Sequence, residues 1–387
     1  MRKTLFNGRV ITPDGIVRGG VEVDGERIAR VFEGDGYDPA GELIDCRGNY
    51  IAPGFIDIHT HSTIEGDVMD ATVESLHRMT AQHGRHGTTS LVATTLSSTH
   101  ERIAKALDNI NEVMKRPPVG ARVLGAHLEG NYFAPQMAGA QNPEYLYPPE
   151  KDDYMDFIRR GCVKRVAAAP ELPGALEMAR KLAPTGIQFS IGHSNGRPWD
   201  VKNAIEAGYT TVTHIFNAQS SISNVFCYPE AGVCEASLLY DEISAECICD
   251  GQHLSPTLLQ LVYKIKGPDR MIGITDSVYS GAADGEYMFG GLEVVVRDNI
   301  CILKSGVAFA GSVATMDLCL RTLYKKAGIP IGDAVKICAA TPAKIIGEQQ
   351  HIGVIAAGYD ADINVFDDDI NILYTTVLGK TVNNKLA

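Results

Sequence analysis

The stretch APGFIDIHTH, residues 52–61, is an apolar run that closes on two histidines one residue apart. Side chains alternate along a strand, so His59 and His61 point to the same side and are placed to grip one ion. The sequence after it alternates strands and helices. Strands are predicted near 53–58, 89–95, 121–128, 164–169, 186–192, 210–214, 243–249 and 271–275. Helices are predicted between most of them, among them Ala71–His86, Arg102–Met114, Ala175–Leu182, Pro198–Ala207 and Pro256–Lys266. Eight such strands with crossover helices predict an α/β protein built on a (β/α)8 TIM-type barrel rather than a doubly wound sheet.

Both ends of the chain read differently from this middle. "TLFNGRVIT", "GVEVDGERIARVFEG" and "GELIDCRGNYIAPG" alternate apolar and polar residues around Asp-Gly and Asn-Gly turns, and "HIGVIAAGYDADINVFD" and "NILYTTVLGKTV" behave likewise. A small β-sandwich domain is therefore expected from residues 1–50 plus 352–387, with residues 51–351 forming the barrel. After the eighth strand, "GEYMFGGLEVVVRDNICILKSGVAFAGS" reads as a β-hairpin insertion, followed by helices from Thr315 and Gly332.

Composition narrows the function. The 387 residues are 45% hydrophobic and carry a net charge of -12, which disfavours nucleic-acid or anionic-membrane binding because both want basic patches. Nine cysteines, odd in number and without a CxxC pair, predict no disulfide framework and a reducing, cytoplasmic setting. The opening MRKTLFNGRVITPDG turns polar too soon for a signal peptide, and no apolar run approaches a membrane span.

In such barrels the active site lies at the carboxyl ends of the strands. Strand one ends in His59 and His61, and strand three in Glu129 ("GAHLEGN"). Strand five ends in His193 ("SIGHSNG"), strand six in His214 ("TVTHIFN") and strand eight in Asp276 ("GITDS"), while strand seven leads to Asp250 and His253 ("CDGQH"). Taken singly each has an ordinary reading: a satisfied core histidine, a salt-bridged glutamate, an aspartate capping a turn. Convergence of several strand ends on one mouth instead predicts a metal site. Imidazole and carboxylate ligands suit Zn²⁺, and also Fe²⁺, better than Ca²⁺ or Mg²⁺. A divalent ion there would lower the pKa of water from about 15.7 to about 7, with Asp276 as candidate proton shuttle. His77, His83 and His86 on a predicted helix, His100 and His351 in loops, and His127 deeper in the barrel are assigned solvated or packing roles.

In this order "PGFIDIHTH", "HLEG", "GHSN", "THIFNA", "DGQH", "TDS" and "AGS" resemble the amidohydrolase superfamily, and within it the N-acetylglucosamine-6-phosphate deacetylase family, over nearly the whole chain. The resemblance implies that Glu129, His193 and His214 hold the principal ion. His59 and His61 would complete a second site, so one or two ions bind. It implies that Asp276 is the general base and acid, that His253 and the Asn217-Ala218 backbone contact substrate, and that the chain forms a homodimer or homotetramer.

Two departures stand out. Where the family reads KGAH this chain has "AGAQNP", placing Gln141 at a substrate-contact position; an amide donates a hydrogen bond but carries no charge. Where the family's REPG arginine grips the sugar phosphate this chain has "NVFCYPEAG", and no Lys or Arg occurs between Lys202 and Lys264. A phosphate wants charge-assisted donors. Two substrates therefore stand at this point: an N-acetylated amino sugar, releasing acetate, or another N-acyl compound such as an N-acyl amino acid or cyclic amide.

Overall fold

Eight parallel strands form the central sheet, in the spatial order Phe55–Thr60, Thr88–Thr94, Arg122–Glu129, Val163–Ala168, Gln188–Ile191, Tyr209–Val212, Ser244–Ile248 and Met271–Ile274. The structure, a computed structural model, describes residues 2–149 and 152–386. The first and eighth strands close the barrel through single contacts instead of a ladder. Asp276 N–H donates to His59 O (2.9 Å), Thr60 bridges Ser277, and the Asp57 carboxylate accepts from Thr275 Oγ1 (2.5 Å). The seam thus runs through the residues that carry the site.

Helices pack outside this sheet, and several have the predicted bounds. Pro198–Ala207 and Pro256–Lys266 each open with proline, whose fixed φ suits the first helical turn, and each is followed by a glycine. Thr72 caps Val73–Arg85 by accepting from Ser75 N–H. His100, expected in a loop, begins the helix His100–Met114 because Thr99 accepts from Arg102 N–H and starts the turn early. The insertion is a three-stranded antiparallel sheet, Gly285–Phe289, Leu292–Arg297 and Ile300–Leu303.

Strands from both ends join in a second eight-stranded sheet. Arg2–Thr12 pairs with Gly15–Asp24 on one side and with Glu42–Asp45 and Tyr50–Pro53 on the other. Ile363–Phe366, Ile372–Val377 and Lys380–Asn384 extend it beyond Tyr50–Pro53. Its own apolar cluster includes Leu5, Val10, Val21, Ile51, Ile363, Val365 and Tyr374. Gly54 sits where the chain leaves this sheet for the barrel: a β-carbon there would lie 2.1 Å from Thr89 Oγ1, so only glycine fits the passage. Arg122, the first residue of its barrel strand, ties the two parts by pairing with Asp360 and Asp362. Among the described residues no helix is long and apolar enough to cross a membrane.

Candidate metal centre

The strand ends bring His59, His61, Glu129, His193, His214 and Asp276 together at the mouth, each at least nine-tenths buried. Glu129 is the hub. Its Oε1 lies 3.3 Å from His59 Nε2, 3.5 Å from His193 Nε2 and 3.3 Å from His214 Nε2, and its Oε2 lies 3.3 Å from His61 Nε2. Asp276 Oδ1 stands 3.4 Å from His59 Nε2 and 3.2 Å from His61 Nε2. His59 Nε2 is buried and has no hydrogen-bond partner despite these two carboxylates.

Such spacing is what ligands around one ion adopt. With bonds of about 2.1 Å in a tetrahedral shell, neighbouring ligand atoms stand about 3.4 Å apart. Two groups meet the requirement among the described residues: His59, Glu129 and His214, and His59, His61 and Asp276. They share His59, whereas the resemblance grouped His59 with His61 alone. The donor set of imidazole nitrogen and carboxylate oxygen fits a divalent transition ion.

Hydrogen bonds on their far nitrogens orient three of the imidazoles. His193 Nδ1 lies 2.7 Å from Met137 O and His214 Nδ1 3.1 Å from Asn217 O. A carbonyl only accepts, so each Nδ1 carries the hydrogen and each Nε2 is the nitrogen turned toward Glu129, where it offers a lone pair when the ring is neutral. His59 Nδ1 faces Glu246 Oε2 at 3.2 Å in the same sense. The Phe133 ring stacks on His193 at 4.3 Å. Burial pushes the Glu129 and Asp276 carboxyls up, but the surrounding imidazoles, His59 foremost, outweigh it and hold both below the usual carboxylate range.

The backbone is strained at the same place. His193 (φ 46°), His214 (φ 27°) and Asp276 (φ 48°) all adopt left-handed conformations. Each costs about 1–3 kcal/mol for a residue with a β-carbon, so the strand ends are bent at an energetic cost to aim these side chains inward.

Beside the cluster lies a cavity of about 480 Å³, lined in part by Gln141, Asn217, Ala218 and His253 and, from the insertion and the segment after it, by Phe289, Val307 and Phe309. The His253 ring lies tilted against Phe309, centroids 4.2 Å apart, and its Nδ1 meets Asp250 Oδ2 at 2.7 Å, leaving Nε2 for a ligand. Asn217 N–H is used within its own turn by His214 O. Both ends of the Gln141 amide are engaged: Nε2 donates to Glu129 Oε2 (2.8 Å) and Oε1 accepts from Ser97 N–H (2.8 Å). Gln141 therefore borders the cavity as a partner of Glu129. Sequence reasoning missed Ser97, Glu246 and the carbonyl of Met137. The available signal for Glu246 was a carboxylate inside the otherwise apolar strand "SAECI".

A barrel whose strand ends gather four imidazoles and two carboxylates beside a substrate-sized cavity defines a hydrolase of the metal-dependent kind. The chain belongs to the amidohydrolase family, whose model matches residues 50–382, and within it to the branch of the N-acetylglucosamine-6-phosphate deacetylases. The N-acetylglucosamine-6-phosphate deacetylase of Bacillus subtilis (strain 168) is 32% identical over 378 residues, 96% of this chain and 94% of the relative. The crystal structure of the Pasteurella multocida enzyme superposes with a TM-score of 0.93 at 28% identity, covering 99% of this chain and 100% of that one. A Mycobacterium smegmatis mutant in complex with N-acetyl-D-glucosamine-6-phosphate gives 0.91 at 27% identity, with 99% of both chains covered.

Proposed function

We propose that this chain removes the acetyl group from an N-acetylated amino sugar, releasing acetate and the free amine. The observation that carries the reading is Glu129 at the centre of four imidazoles, with Asp276 opposite and the cavity alongside. The cavity volume falls within the range, about 300–1,000 Å³, typical of small-molecule sites. The curated relatives favour this substrate class over an N-acyl amino acid or a cyclic amide.

In this proposal Glu129, His193 and His214, with His59 and His61, hold one or two divalent ions, Zn²⁺ first and Fe²⁺ second. The ion would supply Lewis acidity toward the acyl oxygen and acidify water at neutral pH. Asp276 does the proton work. Its carboxylate accepts a proton from the attacking water, whose oxygen joins the acyl carbon, and delivers it to the nitrogen as the carbon–nitrogen bond breaks. His253 Nε2, an acceptor while Nδ1 carries its hydrogen toward Asp250, and the Ala218 N–H, a donor, line the cavity as substrate contacts. Asp250 keeps the His253 ring from turning.

Among the described residues, no lysine or arginine lines the cavity, and each of its histidines faces a carboxylate or a backbone carbonyl. The chain's own wall thus offers a sugar phosphate no charge-assisted cationic donor. A panel of N-acetylhexosamines with and without a 6-phosphate tests both points. Acetate release from members of the panel supports the deacetylase reading, and release from none of them by metal-loaded protein overturns it. The 6-phosphate is expected to raise kcat/KM by less than about a hundredfold, the worth of one charge-assisted contact at about 1.5–3 kcal/mol. The reading places the enzyme in the cytoplasm, where cysteines such as the nine free ones here stay reduced, as a homodimer or homotetramer.

A further inference from the structure

Deeper in the barrel than the mouth lies an ion pair with no solvent contact. Arg165 and Glu246 are both 0% exposed. Barrel interiors are ordinarily filled by branched apolar side chains, and a buried ion pair seldom beats such filling in stability because both charges lose their hydration. Yet this pair is fully engaged. Arg165 Nη2 donates to Glu246 Oε1, Nη1 donates to Ile58 O (2.9 Å) and Nε donates to Gln188 Oε1 (2.8 Å). The second carboxylate oxygen, Glu246 Oε2, faces His59 Nδ1 at 3.2 Å. The His127 ring abuts the same imidazole edge-on at 4.7 Å.

We infer that Glu246 and Arg165 are positioning residues for His59, and that through it they set how tightly the mouth holds its ion. The inference rests on the metal reading above. A carboxylate locked to a guanidinium acts as an acceptor, so the hydrogen sits on His59 Nδ1, and Nε2, facing Glu129 and Asp276, is the nitrogen left to bind an ion. A carboxylate behind a ligand histidine also makes it a stronger donor to metal. His193 and His214 make do with backbone carbonyls. His59 receives a full negative charge, and it is the one residue common to both candidate metal groups. Arg165 adds to this by gripping the carbonyl of Ile58, the residue immediately before His59. Had the pair been only structural, it would not need to end on the one ring that both groups share.

The test uses two double variants, because removing one charge alone strands the other in the core. Arg165→Met with Glu246→Leu fills the space without an acceptor for His59. Arg165→Met with Glu246→Gln keeps an accepting amide oxygen without the charge. Affinity for Zn²⁺ is read by chelator competition, coordination by the visible spectrum of the Co²⁺-loaded protein, and folding by thermal melting. The apolar pair is expected to lose about ten- to hundredfold in affinity and to change the Co²⁺ spectrum, and the amide pair to recover most of both. An apolar pair that melts like the native protein and matches its affinity and spectrum overturns the inference. If the apolar pair does not fold, the amide pair decides: a several-fold loss supports the inference and native affinity overturns it. A native protein that binds no divalent ion sinks the metal reading itself, a separate result.

Discussion

At the foot of the barrel Arg122 holds Asp360 at 2.9 Å and Asp362 at 2.5 Å, and Arg27 reaches Asp360 from the other side at 2.5 Å. At the mouth two carboxylates, equally buried, face four imidazoles at 3.2–3.5 Å with no guanidinium or ammonium among them. Both clusters put acids out of water beside basic side chains. At the foot the cations are permanent and the contacts close, which makes a staple between barrel and terminal sheet. At the mouth the partners are neutral-capable, three of the rings are fixed by their far nitrogens, and His59 Nε2 is left without a hydrogen-bond partner. Buried charge alone therefore does not mark a site. Buried carboxylates faced by several pre-aimed imidazoles, with no permanent cation beside them, do.

Breaking the mouth at its hub should have the largest effect. Glu129→Gln replaces one of the two oxygens that the imidazoles face with an amide nitrogen and removes the negative charge, and is expected to abolish stoichiometric metal and to cut kcat/KM by about 10⁴-fold or more, read by elemental analysis and acetate release. Asp276→Asn tests a division of labour inside the mouth. It keeps the shape and most of the ligands, so metal content should persist while kcat falls by about 10²- to 10⁴-fold, the scale of a lost acid–base group. The foot should answer in the opposite currency. Arg122→Met leaves Asp360 and Asp362 buried without their shared partner and is expected to lower unfolding stability by about 3–5 kcal/mol, read in denaturant, with metal content and kcat unchanged. The smallest effect is expected at the cavity edge. His253→Ala removes one ring hydrogen-bonding nitrogen and its contact with Phe309, and should raise KM by about tenfold with intact metal content.

The same comparison explains what was legible in the sequence. The mouth was readable because its residues are rare in apolar strands and recur at strand ends, as in "GHSN" and "THIFN". Helices punctuated by proline and glycine were readable to their last residue, Pro198–Ala207 and Pro256–Lys266 among them. Short helices such as Tyr154–Arg159, with no side-chain bond at the N-cap, carry no such punctuation. The foot was not readable, because Arg122 meets Asp360 and Asp362 across more than two hundred residues and ordinary charged residues give no cue to their partners. Nor was Gln141 against Glu129, or the sharing of His59 between two metal groups, since both depend on how strand ends tilt. Glu246 and Arg165 were overlooked because a single charge in an apolar strand reads as noise until its partner comes into view.

Glu129 and the imidazoles around it have the spacing of ligands to a divalent ion. Crystals of protein purified without chelator, measured on both sides of the zinc absorption edge, test it directly. An anomalous peak is expected about 2.0–2.2 Å from Glu129 and from at least two of the four Nε2 atoms. No peak at the mouth after soaking in Zn²⁺, with Glu129 still among its imidazoles, would contradict it.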